Sequence, residues 1–377
     1  MRLRNVILVL VLSLGNLFAQ GKGDTIRVYV GTYTGDESKG IYSCDLSTKD
    51  GTIKDLTLAA EVQNPSFLTI HPNKKFLYAV NEVSNFKGEK AGAITAFKIE
   101  GNKLTKLNEQ SSGGDGPCYV SVDKTGKNAL VANYGGGSVA VLPINEDGSL
   151  KPHSAFVQHL GSSVNPERQK EPHAHSINMD AQNRFAIAAD LGLDELLVYK
   201  LDPETGTLTP NNPPFAKVPP GSGPRHFAFH PTAPFAFANG EIASTIIALR
   251  YNADKGTLNT TEALSTLPPD WKGNNSTAET QVHPSGKFVY TSNRGHNSIA
   301  VFQIEPSGKL KYIENESTGG KTPRNFGIDP TGNFIVAANQ DSDSLVVLKI
   351  DQKTGALSPT GHQLKAPKPV CVKFLTQ

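Results

Sequence analysis

The 377-residue sequence predicts an all-β fold, a seven-bladed β-propeller of four-stranded antiparallel blades. Three observations carry that prediction. A turn followed by an apolar residue recurs seven times, a strand pair around a His-Pro type of turn recurs six times, and the two chain ends supply the strands missing from a seventh unit. The composition agrees: 35 glycines, 25 prolines and only 19% charged residues suit many short strands and turns. No 3.6-residue periodicity persists beyond the amino terminus, which excludes a helical solenoid.

The chain begins "MRLRNVILVLVLSLGNLFAQ". Arg2 and Arg4, the apolar run from Val6 to Leu14 and a cut after Ala19 describe an export signal over residues 1–19, followed by a single propeller domain over residues 20–377. Leu17 stands where a small residue is usual before such a cut, so an uncleaved anchor is the alternative. The apolar run is too short to span a bilayer, and no stable membrane insertion is expected once the signal is removed. The expected location is outside the cytoplasm, in the periplasm. Losing Arg2 and Arg4 leaves 35 basic against 35 acidic residues. That balance points away from nucleic acid and from anionic membrane surfaces. Cys44, Cys118 and Cys371 are odd in number and far apart, a poor disulfide framework, and read as small buried apolar residues.

The first repeat comprises Gly51-Thr52-Ile53, Asn102-Lys103-Leu104, Gly148-Ser149-Leu150, Gly206-Thr207-Leu208, Gly256-Thr257-Leu258, Gly308-Lys309-Leu310 and Gly355-Ala356-Leu357. Each follows a β-branched or alternating run and closes a hairpin in which Gly or Asn supplies a positive φ. The second repeat is seen in "FLTIHPNKKFLYAVN", "TQVHPSGKFVYTSN" and four similar stretches. With about 51 residues per repeat, each unit holds four strands. "PKPVCVKFL" near the end resembles a first strand and "IRVYVGTY" near the beginning a second, so their pairing would close the ring.

Aligning the units on the His-Pro turn places Ser66, Cys118, His175, Arg225, Ala278, Arg324 and Val370 in one slot at the start of the innermost strand. A second slot, after the next strand, holds Tyr33, Glu82, Tyr134, Leu191, Glu241, Arg294 and Gln340. Rotation about the propeller axis should bring both sets to one face. His175, Arg225, Glu241 and Arg294 are the candidate catalytic residues; His173, His226, Glu82, His296, Arg324 and Asn325 are candidates for binding substrate. Strand alternation points His226 away from Arg225. Three arginines with one evident carboxylate suit an anionic ligand, which guanidinium groups bind bidentately. "EPHAHS" lacks the partners of a metal site, and no metal or other cofactor is expected. The His-Pro histidines His71, His230 and His283 belong to turns at the opposite end. "GGGSVAV" lacks the lysine and helix of a phosphate loop. Two longer connections, "GSSVNPERQKEPHAHS" and "PPDWKGNNSTAET", form a rim on the same face, with Trp271 a candidate wall.

"GGDGPCYVSVDKTGKNALVANYGGGSVAVLPI", "EPHAHS", "GSGPRHFAFHP", "TSNRGHNSIAVF" and "TPRNFGIDPTGNFIVAANQ" closely resemble the propeller-type 6-phosphogluconolactonases and the related fungal carboxymuconate lactonizing enzyme. The resemblance runs from about Val28 to Phe374. It implies the same propeller without an obligatory metal, and active-site positions at His175, Arg225, Glu241 and Arg294. Gly240 departs from the asparagine usual before that glutamate. The partner this implies is an anionic small-molecule lactone or its acid, and the reaction is hydrolysis of a sugar lactone, phosphorylated or not. In it Glu241 or His175 would activate water while Arg225 and Arg294 hold negative charge. The alternatives are ring closure of a carboxymuconate-type diacid and a non-catalytic exported binding propeller.

Overall fold

A computed structural model describes residues 23–376; the expected export signal lies outside the described residues. Seven four-stranded antiparallel sheets surround a central channel, and within each sheet the strands lie side by side in sequence order once the last strand of the chain is placed before the first. Blades 2 to 7 occupy residues 68–111, 117–158, 174–217, 224–265, 276–317 and 323–365. Blade 1 is built from both chain ends: Pro369–Leu375 forms its inner strand, followed outward by Thr25–Thr32, Gly40–Ser47 and Ile53–Glu61. Tyr29 pairs with Lys373 and Val30 with Val372, so the ring closes by backbone hydrogen bonding as the sequence predicts.

The core lies between blades. Phe235, Phe237, Ile246 and Ala248 of blade 5 pack on Val289, Ala300 and Phe302 of blade 6, and equivalent clusters recur around the ring. One contact ties the hairpin glycines to this packing. Gly148 has φ 86°, and a Cβ there would sit 2.3 Å from the Phe76 ring of the preceding blade. The turn and the interblade contact both require glycine. In the copy around Asn102 the positive φ falls on Gly101. The His-Pro histidines also join blades: His71, His230 and His283 contact the carbonyls of Gly126, Gly286 and Gly332 at 2.8–2.9 Å.

The inner strands of blades 3 to 7 share one irregularity that positions the site. At their channel-entry ends the ladder skips, between Pro117 and Tyr119, Ala174 and Ser176, Pro224 and Phe227, Thr277 and Thr280, and Pro323 and Asn325. Such β-bulges turn consecutive side chains toward the same region and release backbone carbonyls from the sheet.

Candidate active site

Six of the seven aligned entry residues converge. Ser66, Cys118, His175, Arg225, Arg324 and Val370 line one narrow cavity of about 10 Å3, together with Tyr33, Phe67, Glu82 and His226. That is room for about one water molecule. The cavity shares Glu82, Cys118, His175 and Arg324 with a wider cleft of about 360 Å3, to which Tyr134, Arg168, Glu241, Ser276 and Arg294 contribute. Ala278 takes part only through its carbonyl.

Glu241 is the hub of the cleft and is buried at 5% exposure. Arg168 Nη2 donates to its Oε1 at 2.8 Å, while Arg294 Nη2 and Arg225 Nε each lie 2.9 Å from Oε2. The Arg225 Nε contact is off the N–H axis and is an ion pair rather than a hydrogen bond. The bulge in blade 6 frees two acceptors for the same arginines: Thr277 O takes Arg294 Nη2 at 2.9 Å and Ala278 O takes Arg225 Nη1 at 2.5 Å. Burial alone would raise the Glu241 carboxyl, but Arg294, Arg225 and Arg168 outweigh it and hold it down at about 2. Burial, partly offset by Glu241, lowers Arg294 to about 10.

His175 is buried beside these cations. Burial and then the charges of Arg225, His226 and Arg324 push its pKa well below 6.5, so the imidazole is neutral. Its Nδ1 lies 3.4 Å from Cys118 Sγ; Nε2 has no hydrogen-bond partner among the described residues, and the side chain lines both cavities. Cys118 is buried as expected, yet it forms part of the wall. Burial raises its thiol far above the usual range, so it is not a nucleophile.

Across the channel Tyr33 OH donates to both oxygens of Glu82 at 2.9–3.0 Å, Ser66 donates to Glu82, and Arg324 Nη2 donates to Tyr33 OH at 3.0 Å. Arg324 also lies over the Tyr33 ring and has no carboxylate within 4 Å among the described residues. Four guanidinium groups therefore face two carboxylates, an excess of two positive charges. Buried like charges are costly unless matched, and guanidinium groups can hold a carboxylate or a developing negative charge through paired N–H donors.

The other sequence candidates take different places. His226 reaches the narrow cavity, where its Nε2 meets Arg225 Nη1 at 3.2 Å. Alternation predicted the reverse; the bulge after Pro224 sets both side chains toward the channel. His173 stacks on Tyr134 at 4.5 Å and holds that wall from behind. Asn325 lies one layer below the cleft, bonded to Glu279 and to the Val372 amide. His296 is not a lining residue: it bonds Ser298 and packs against Trp271, which is likewise outside both cavities. Glu241 keeps its aligned register, with its amide bonded to Gly223 O at 2.7 Å. A Cβ on Gly240 would meet Ser222 O at 2.9 Å. Sequence reasoning missed Arg168, delivered by the predicted rim loop, and Glu279, which directly follows the aligned Ala278.

The family model described as "Lactonase, 7-bladed beta-propeller" matches residues 27–374. A 6-phosphogluconolactonase of Bacillus subtilis is 40% identical over 352 residues, covering 93% of this chain and 98% of the relative. Another from Formosa agariphila is 34% identical over 345 residues, covering 89% and 96%. Among solved structures, the periplasmic gluconolactonase of Pseudomonas aeruginosa superposes with a TM-score of 0.88 at 32% identity, over 93% of this chain and 99% of that one.

Proposed function

Because the chain belongs to the seven-bladed β-propeller lactonase family, we propose that it is an exported hydrolase that opens a sugar lactone of the gluconolactone type, phosphorylated or not, to its acid. The observation that carries this reading is an imidazole nitrogen, His175 Nε2, open to a cleft with surplus guanidinium charge. Export is supported by the leader and by the periplasmic location of the Pseudomonas neighbour.

Water attacks the ring carbonyl and gives up a proton to His175 Nε2; the carbonyl π electrons move to oxygen, where Arg225 and Arg294 hold the charge. Collapse of this intermediate breaks the ring C–O bond, and His175 returns the proton to the departing alkoxide. The neutral imidazole is a weak base at rest, but the oxyanion forming nearby raises its basicity as the reaction proceeds. Glu241 is the poorer base, since its oxygens are engaged by three arginines and its pKa is held at about 2. It orients the arginines instead. Arg324 and Glu82 face the remainder of the substrate, whose hydroxyls both donate and accept.

The test is acid release by the purified mature protein from a panel of sugar lactones, phosphorylated and not, followed by pH-stat above the spontaneous rate. Turnover that disappears in His175→Ala supports the reading; inertness toward the whole panel overturns it.

A further inference from the structure

Glu279 is a buried carboxylate that lines neither cavity, and the reaction described above gives it no role. Its surroundings nevertheless point toward the cleft. His226 Nδ1 lies 3.1 Å from Glu279 Oε1, off the N–H axis and so in charge contact rather than an aligned hydrogen bond, and the opposite ring nitrogen, Nε2, meets Arg225 Nη1 at 3.2 Å. Guanidinium has only donors, so Nε2 must carry the lone pair and the ring proton must sit on Nδ1, on the side of the ring nearer the carboxylate. The ring has little freedom to do otherwise: it is wedged edge-on against Phe67, Tyr119 and His175, with centroids 5.2–5.5 Å away. Glu279 is itself fixed, accepting from Thr280 N at 2.9 Å and from Asn325 Nδ2.

We infer that Glu279 and His226 are positioning residues for Arg225, a carboxylate–imidazole–guanidinium series that sets the His226 tautomer and so aims the guanidinium at the reacting oxygen. Arg225 Nη1 is then held between His226 Nε2 and Ala278 O, Nε faces Glu241, and Nη2 has no hydrogen-bond partner among the described residues. The inference rests on the lactonase reading for its catalytic consequence only; the tautomer is a property of the ligand-free protein.

Two experiments test it. Long-range 1H–15N spectra of the ligand-free protein should show His226 protonated at Nδ1 with an unprotonated Nε2. An Nε2-protonated ring in the unmodified protein overturns the inference whether or not any lactone is turned over. In turnover, Glu279→Gln and His226→Leu should lower kcat by ~10- to 100-fold while KM changes little, the loss expected when a stabilising group is displaced by about an ångström. His226→Gln restores an acceptor near the Nε2 position and should recover much of the loss relative to His226→Leu. Equal kcat for the Leu and Gln variants would show that bulk rather than the acceptor matters, and overturns the inference. Should Glu279→Gln fail to fold, the spectrum of the unmodified protein and the Leu–Gln pair still decide it.

Discussion

Replacing Glu241 by glutamine tests the charge arrangement of the cleft without changing its shape. A fall in the carboxyl from 4.5 to about 2, at about 1.4 kcal/mol for each factor of ten, corresponds to about 3 kcal/mol of stability at neutral pH. The side chain is 7% exposed, so little of that is lost to solvent screening. A second route gives a similar size: removing one partner of a buried ion pair costs about 3–5 kcal/mol. Because the folded-state value is depressed, the contribution is complete above pH 4.5 and is lost as pH falls toward 2. Urea unfolding should therefore find Glu241→Gln less stable by about 3 kcal/mol at pH 7. The gap to the unmodified protein should narrow steadily between pH 4.5 and pH 3. A gap that stays constant with pH, or none at pH 7, would refute the claim that three guanidinium groups hold this carboxylate.

Arg225→Ala should lower kcat/KM by about 10²-fold or more, while near-UV circular dichroism stays native, since Glu241 keeps Arg168 and Arg294. Burial and neighbouring cations keep His175 neutral, so kcat/KM should be flat from pH 8 down through pH 6.5 and fall only at lower pH; a fall centred on 6.5 would contradict the assigned environment. A thiol reagent at pH 8 should label no cysteine in the folded protein and three after unfolding, because Cys44, Cys118 and Cys371 are buried with raised pKa values. Labelling of the native protein at Cys118 would show that the cleft wall opens.

The rotational comparison recovers the site because propeller geometry converts distance along the chain into adjacency. Its omissions have physical causes. The entry-strand bulge sends two successive residues toward the channel, so a second set, Phe67, Tyr119, Ser176, His226, Glu279, Asn325 and Cys371, lies directly after the first. Reading that set would have found Glu279 and corrected His226; strict alternation concealed both. Arg168 had no such signal. It comes from a connection present in one blade, where no repeat fixes the register, and only folding reveals that its guanidinium reaches Glu241 and Tyr134. His296 shows the converse: one residue after Gly295 it has left the aligned slot, and its ring turns to Trp271.

The shared blade formed by the chain ends also settles how this protein can be tethered. Tyr33 and Val370 line the cavity, whereas Arg27 and Leu375, which pair with each other, lie toward the far face. At ~3.3 Å per residue the two faces are separated by roughly 20–25 Å. A linker, affinity tag or solid support joined directly before Gly23 or after Thr376 would therefore start from the side away from the cleft. A tether at those two points would leave the mouth accessible to small molecules in the surrounding medium.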